Sequence, residues 1–236
     1  VKVAISTGDV DHAKHVSTIL PGMNNVPSED IKDHVKNAEL VNKHAADNAH
    51  ISQDQVATIA WMYDTPQGGQ VVSSKYATKA SHEIGSALEG MHAFRHTNGI
   101  ERAHTSLLGH SYGSTTAGKV AKMVRKGVLD DLVMYGSPGA GAHDAREYNL
   151  DHGRPYVSGI KSDDAVKGKG TLNSKFGNNP MFMPGVKHLA NNSERDRSFF
   201  IPWKMFDRHS EYLEEGTSSL EDISRVVTNV PVKGEK

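Results

Sequence analysis

One pentapeptide combines the residue types expected around a serine nucleophile. The run Gly-His-Ser-Tyr-Gly at residues 109–113 has the spacing G-x-S-x-G, and small residues follow it at 114–118. A nucleophilic serine must project from a sharp turn between a strand and a helix. Side chains two positions before and after it would collide with neighbouring backbone, so glycine is favoured there. This spacing, after a predicted strand and before a predicted helix, predicts that Ser111 is the nucleophile of an acyl transfer.

A serine hydroxyl needs a general base, because it is inert at neutral pH. In folds that carry this turn, the catalytic residues follow in the chain order serine, acid, histidine. Among the histidines after Ser111, His209 lies in a predicted loop just before the last predicted helix. The sequence therefore predicts His209 as the base.

Two adjacent carboxylates follow the fifth predicted strand, where the acid of such a set is expected. They are Asp163 and Asp164, and neighbouring side chains point in different directions, so only one can meet His209. The apolar pair Ala165-Val166 after Asp164 favours Asp164 as the inward-facing acid. Asp163 is the alternative, and Asp144, after the fourth predicted strand, is the remaining contender.

Backbone amides are expected to stabilise the oxyanion that forms during acyl transfer. The amide of Tyr112, at the start of a helix, can face the developing charge. A second donor should come from the loop after the first predicted strand, where Pro21-Gly22 turns the chain. The amide of Met23 is the expected second donor.

The elements that must position these residues alternate between strands and helices. The predicted strands share short β-branched or apolar runs; they are 15–20, 56–61, 105–108, 132–135 and 156–160. The predicted helices are 28–48, with Ser28 as N-cap, 74–97, 114–126 and 218–230. This alternation predicts an α/β fold, with a mainly parallel, doubly wound sheet flanked by helices. Functional groups should gather at the carboxyl ends of its strands.

The stretch before His209, the predicted base, lacks the alternation of strands and helices that the rest of the chain shows. No periodicity holds over 167–196, where Gly, Pro, Asn and Lys are frequent, and 197–203 could form one more strand. Apolar residues between 181 and 206 either cover an acyl pocket or fill the core. We treat 1–236 as one domain with a lid or cap loop around 167–206.

Composition excludes several other functions. The chain has 236 residues, a formal charge of −1 from 27 Lys plus Arg and 28 Asp plus Glu, and 36% hydrophobic residues, as in globular proteins. Scattered basic residues argue against nucleic acid as a partner. No apolar stretch approaches the roughly 20 residues of a membrane span. The lack of cysteine excludes disulfides, thiolate metal sites and a cysteine nucleophile, but leaves the compartment open.

No metal or organic cofactor is expected. His92 and His96 are four residues apart on a predicted helix, and His12 and His15 are three apart, but neither pair has an evident third ligand. The chain begins at Val1 without a visible signal peptide, which is compatible with a trimmed, processed or excerpted piece of a longer protein, and the sequence leaves this open. Its compartment stays open, with secreted and phage-associated settings both compatible.

The chain resembles an α/β-hydrolase family of unassigned function that is common in actinobacteria and their phages. The matching segments cover most of the chain and are 15–22, 59–66, 108–115, 135–141 and 209–213. The resemblance implies the α/β-hydrolase fold, Ser111 as nucleophile, His209 as base and an acid after the fifth strand. The chain departs from the family in its Asp163–Asp164 pair, where a single Asp is usual, and in its polar 167–196 stretch. The resemblance supplies no substrate.

These features predict a serine hydrolase that cleaves a small-molecule or lipid ester, for example of the cell envelope, through an acyl-enzyme. Amide and thioester cleavage stay open, as does the oligomeric state. The alternative is a non-catalytic structural or interaction domain of a secreted or phage-particle protein that keeps the hydrolase fold.

Overall fold

The computed structural model describes residues 2–68, 73–151, 153–159, 175–191 and 211–234. Its strands are β1 (Val3–Ser6), β2 (His15–Leu20), β3 (Val56–Met62), β4 (His104–His110), β5 (Asp131–Tyr135), β6 (Pro155–Ser158) and β7 (Lys187–His188). Its helices are α1 (Pro27–Ala49), α2 (Lys75–Thr97), α3 (Tyr112–Met123) and α4 (Ser218–Val227). The predicted alternation of strands and helices is confirmed.

The described strands form one sheet in the order β1-β3-β2-β4-β5-β6-β7. All neighbouring pairs are parallel except β1 with β3, which is antiparallel at the edge. Strand β3 shows why the central strands form, since its apolar run is buried on both faces, as expected in a parallel sheet covered by helices. The fold is therefore the α/β-hydrolase fold that the sequence predicts. Two edge strands were not predicted: β1, with four residues, and β7, with two residues.

Helices cover both faces of the sheet. α1 packs against α4 on one face, and α2 packs against α3 on the other. The core on the α1 face includes Ile19, Val41 and Ile223, and the core on the α2 face includes Ile84 and Val120. The two cores pack on opposite sides of the same central strands.

The order of the strands creates a crevice between β2 and β4. After β2 the chain runs through α1 to β3 on one side, and after β4 it runs through α3 to β5 on the other. The loops that leave these two neighbouring strands therefore diverge to opposite faces. Ligands of open α/β sheets bind at such a point, outside the carboxyl ends of the strands.

Two local predictions are corrected by the structure. Helix α1 begins at Pro27 with Val26 as N-cap, so the predicted cap Ser28 is wrong. Proline suits the first helical position. The Val26 amide also donates a hydrogen bond to the Asp30 carboxylate at 2.6 Å. Helix α3 begins at Tyr112, directly after Ser111, rather than at Ser114.

Part of the predicted lid is described, at 175–191. It holds the 3₁₀ turn Pro180–Phe182 and β7, so this part is not an unstructured loop. Met183 is buried in the core, whereas Phe182 is 75% exposed. The rest of the predicted lid, including the strand expected at 197–203, lies outside the described residues. Among the described helices, none is long and apolar enough to cross a membrane.

His34 is a titratable group enclosed between α1 and the sheet. Its side chain is buried, and Nε2 lies 3.0 Å from the carbonyl oxygen of Ile19. Burial lowers the pKa of His34, and the backbone carbonyl opposes this shift only in part. The folded protein therefore holds His34 neutral at pH values where the unfolded chain is already protonated.

We predict that His34 makes the fold acid-sensitive. An unfolded histidine binds a proton near pH 6.5, so stability is lost as the pH falls from about 6.5 towards the lowered pKa of the folded state. The variant His34→Gln should show a smaller drop in Tm between about pH 7.5 and 5.5 than the native protein. The exposed His82→Gln variant is the control and should keep the native slope. Parallel Tm curves for His34→Gln and the native protein would contradict this assignment.

Candidate active site

Ser111 occupies a strained turn between β4 and α3. Its backbone has φ 50° and ψ −124°, a conformation that residues other than glycine rarely adopt. Two hydrogen bonds hold the turn: the Ser111 amide donates to the Tyr135 carbonyl at 2.9 Å, and the Ser114 amide donates to the Ser111 carbonyl at 3.0 Å. Such strain is found at functional sites, and it projects this serine from the edge of the sheet.

The glycines on either side of Ser111 allow a very close approach of backbone. A Cβ atom on Gly109 would lie 2.6 Å from the carbonyl oxygen of Gly113. A Cβ atom on Gly113 would lie 2.5 Å from the Pro21 oxygen and 2.6 Å from the Leu20 oxygen. The collisions expected from the sequence are therefore present at both positions, and they involve the end of β2 as well as the turn itself.

The loop after β2 lies directly against the serine. A Cβ atom on Gly22 would lie 3.0 Å from Cβ and 3.5 Å from Oγ of Ser111. Met23, the next residue, is 39% exposed, and no hydrogen bond of its amide is found within the described part of the chain. Tyr112 begins α3, so its amide belongs to the first turn, which lacks intrahelical acceptors. The structure therefore brings together Ser111, Tyr112 and the loop that carries Met23.

Side chains from two loops fix the Pro21–Asn25 segment. Asn25 Nδ2 donates to the carbonyls of Gly22 at 3.2 Å and Met23 at 3.0 Å, and Thr65 donates to the Asn25 carbonyl at 3.0 Å. The fully buried Tyr63 hydroxyl lies 2.8 Å from Thr116 Oγ1 on α3 and 3.5 Å from the Pro21 carbonyl. No role in the site was predicted for these residues from the sequence. The available signal was their position directly after β2 and β3, at the edge where functional groups gather.

The loop after β5 supports the serine turn from the other side. The Ser114 hydroxyl lies 2.6 Å from the Ser111 carbonyl and 2.6 Å from Ser137 Oγ. A Cβ atom on Gly118 would lie 1.8 Å from the Ala140 oxygen, so α3 and this loop are in backbone contact. The small residues after Ser111 are thus required by packing.

Of the predicted base and acids, Asp144 is the one that the described residues include. His209, Asp163 and Asp164 lie outside the described residues. Asp144 is described: its carboxylate accepts from Nε and Nη2 of Arg146 at 2.9 and 2.7 Å. These hydrogen bonds lower the pKa of Asp144 to about 2. Asp144 is thus engaged with Arg146 at the surface.

The described chain resumes next to the site at Glu211. The Tyr212 ring lies 6.0 Å from the His110 ring and 5.7 Å from the Tyr135 ring, and the His110 and Tyr135 rings stack at 5.1 Å. Tyr212 is fully buried. The segment that follows His209 in the chain is therefore packed beside the residue that precedes Ser111.

A cavity of about 170 Å³ opens beside the serine turn on the α1 face, and we call it the α1-side pocket. Its lining residues come from β2 and its loop, α1, the end of β4, β5 and the segment after 211: Ile19, Pro21, Gly22, Asn25, His34, Asn37, His110, Tyr135 and Leu213. Because Gly22 is both a wall of this pocket and a neighbour of Ser111, the pocket adjoins the serine.

The histidine pairs considered as metal ligands have separate surroundings. His12 Nδ1 lies 2.8 Å from Asp9 Oδ2, and the His15 ring lies 6.0 Å from the His104 ring. No group of three or more potential ligands converges in the described part of the chain.

The close approach at Gly113 leads to a stability prediction. A methyl group there would overlap carbonyl oxygens that cannot move without shifting β2, so Gly113→Ala should destabilise the protein by about 1–3 kcal/mol or more. Gly90→Ala is the matched control, because Gly90 lies within α2 and a Cβ atom there meets nothing within 4 Å. This control should be neutral or stabilising by up to about 1 kcal/mol. Equal unfolding midpoints in urea for the two variants would disprove the packing argument.

Comparison with known proteins places the chain in a family. A family model described as alpha/beta hydrolase matches residues 1–174. An uncharacterized protein of Mycobacterium tuberculosis is 30% identical over 201 residues, which cover 82% of this chain and 73% of that protein. A second uncharacterized protein of the same species is 34% identical over 186 residues, which cover 73% of this chain and 26% of that longer protein. The crystal structure of the Bacillus cereus carboxylesterase aligns with a TM-score of 0.47 and 12% identity over 79% of this chain and 83% of that chain. From the family match and the first relative, the chain belongs to the alpha/beta hydrolase family.

Proposed function

We propose that this protein is a serine hydrolase that cleaves a carboxylic ester through an acyl-enzyme. The observation that carries the proposal is the strained backbone of Ser111, at the head of α3, with the Gly22 loop against its side chain. This is the geometry in which a serine hydroxyl and two backbone amides can meet one carbonyl group.

The proposed reaction has two balanced halves. Ser111 Oγ attacks the ester carbonyl while His209 takes its proton, and the amides of Tyr112 and Met23 stabilise the oxyanion. The tetrahedral intermediate collapses, and His209 returns the proton to the leaving alcohol. Water then attacks the acyl-enzyme with His209 again as base, which releases the acid and regenerates Ser111.

Chain connectivity supports His209 as the base. Tyr212, three residues later, packs beside His110, the neighbour of Ser111. Three residues of extended chain span at most about 10 Å. This chain length from Tyr212 allows His209 to reach the serine turn, which the proposed base requires.

The acid is proposed to be Asp164, with Asp163 as the alternative. Both follow β6, whose last residue Ser158 accepts a hydrogen bond from the Gly136 amide at 3.1 Å, at the same sheet edge as the serine turn. The role of this carboxylate is to hold the imidazole of His209 in the correct tautomer and to stabilise the imidazolium. The engagement of Asp144 with Arg146 makes it a weaker candidate.

The substrate is proposed to be a small-molecule or lipid ester, for example of the cell envelope. The fold and the catalytic set do not by themselves select the bond, because the same apparatus cleaves esters, thioesters and amides. A panel of p-nitrophenyl esters of graded acyl length, with matched thioester and anilide substrates, would select among them.

The nucleophile is tested by labelling. A fluorophosphonate probe should label one serine, and Ser111→Ala should abolish labelling and lower kcat for p-nitrophenyl esters by at least about 10³-fold, because the triad acts as a unit. Its Tm should stay close to that of the native protein. Ser52→Ala, at an exposed serine, should keep labelling and turnover. An unlabelled native protein would refute the proposal and favour a non-catalytic domain that keeps the hydrolase fold.

The acid is tested by a pair of variants. Asp164→Asn should cost on the order of 10⁴ in kcat, because the amide favours the wrong tautomer of the histidine. Asp163→Asn should cost little, as an exposed substitution does. The reverse pattern in steady-state kinetics would exchange the two roles, and full activity in both variants would direct the search to Asp144.

A further inference from the structure

We infer that the α1-side pocket binds a small, uncharged, hydroxylated group of the ester substrate. The inference rests on the proposed function and adds the chemical class of one part of the substrate. It is argued from the described lining residues of the pocket.

The size of the pocket limits what it can hold. A cavity of about 150 Å³ accommodates a benzene molecule. The α1-side pocket, at about 170 Å³, therefore holds a group of roughly three to six heavy atoms. A long acyl chain would not fit inside it.

The described lining of the pocket offers no counter-charge for an ionic group. None of its described lining residues is Asp, Glu, Lys or Arg. His34, the buried histidine in its wall, is kept neutral by its enclosure between α1 and β2. A carboxylate, phosphate or ammonium group would lose its hydration there without gaining a counter-charge.

The polar groups of the lining match a hydroxyl. Asn37 on α1 is half-buried, and its carboxamide makes no hydrogen bond within the described part of the chain. Asn25 uses Nδ2 to hold the carbonyls of Gly22 and Met23, which leaves Oδ1 as an acceptor. A carboxamide offers both donors and an acceptor, and a hydroxyl offers one of each, so the two are complementary.

The position of the pocket makes it part of the same site. Gly22 forms its wall and stands against Ser111, and His110 directly precedes Ser111. On the opposite, α2 side of the serine the neighbours are aromatic: the Tyr112 and Phe176 rings lie 5.8 Å apart in an edge-to-face arrangement. The α1-side pocket and this aromatic pair therefore offer different surroundings on the two sides of Ser111.

The test compares three esters of similar size. Propyl butyrate has no hydroxyl, glycerol monobutyrate has hydroxyls on the alcohol, and propyl β-hydroxybutyrate has one on the acyl group. We expect kcat/KM for one of the hydroxylated esters to exceed that for propyl butyrate by about three- to tenfold, the effect of one net hydrogen bond. Which of the two is favoured tells whether the pocket receives the alcohol or the acyl side.

The variant Asn37→Leu should lower kcat/KM for the preferred hydroxylated ester to about that for propyl butyrate measured with the same variant. Lys36→Leu, at the preceding exposed position of α1, is the matched control and should keep the preference. The rate of Ser111 labelling by a fluorophosphonate reports that each variant is folded with an intact nucleophile. Equal kcat/KM for all three esters, or a preference that survives Asn37→Leu, would overturn the inference while labelling upholds the hydrolase. Absence of labelling in the native protein would instead refute the proposed function and, with it, this inference.

Discussion

The carbonyl oxygens at the end of β2 lie so close to the first turn of α3 that only glycine fits between them. At Gly113 the two carbonyls of Leu20 and Pro21 occupy the space of a side chain, and Gly22 then lies against Ser111. Everything else at the site depends on this contact. It brings the loop of Met23 to the serine, and it holds the strained Ser111 turn between two strands that cannot move apart without breaking the centre of the sheet.

The chain leaves β2 and β4 towards opposite faces of the sheet, so different residues surround the two sides of Ser111. The β2 loop continues into α1 on one face, whereas the Ser111 turn continues into α3 on the other. The α1 side combines carboxamides and imidazoles with Tyr135 and aliphatic residues, whereas the aromatic pair Tyr112 and Phe176 packs on the α2 side. In the proposed hydrolase, a substrate bound across the crevice would contact both sides.

Buried polar groups keep this arrangement rigid. Tyr63 links the end of β3 to Thr116 on α3, and Asn25 ties the Gly22 and Met23 carbonyls together. Tyr63 is fully buried, and its hydroxyl and Thr116 Oγ1 satisfy each other, whereas leaving such groups without partners in the interior would be costly. In the proposed mechanism, the amide of Met23 stabilises the oxyanion only if its loop does not reorganise during the reaction, and these hydrogen bonds would restrain that loop.

The sequence by itself determined the alternation of strands and helices, the α/β class and the Ser111 turn, because apolar periodicity and glycine spacing are local properties of the chain. It predicted five of the described strands but not β1 and β7, the two edge strands, each of which forms through pairing with a single neighbour. Only the tertiary structure decided that Gly22 touches Ser111, that Tyr63 and Asn25 hold its loop, and that Asn37 faces the same pocket. These contacts join residues that are distant in the chain. They arise because helices pack on opposite faces of one sheet, and no local sequence pattern encodes that packing.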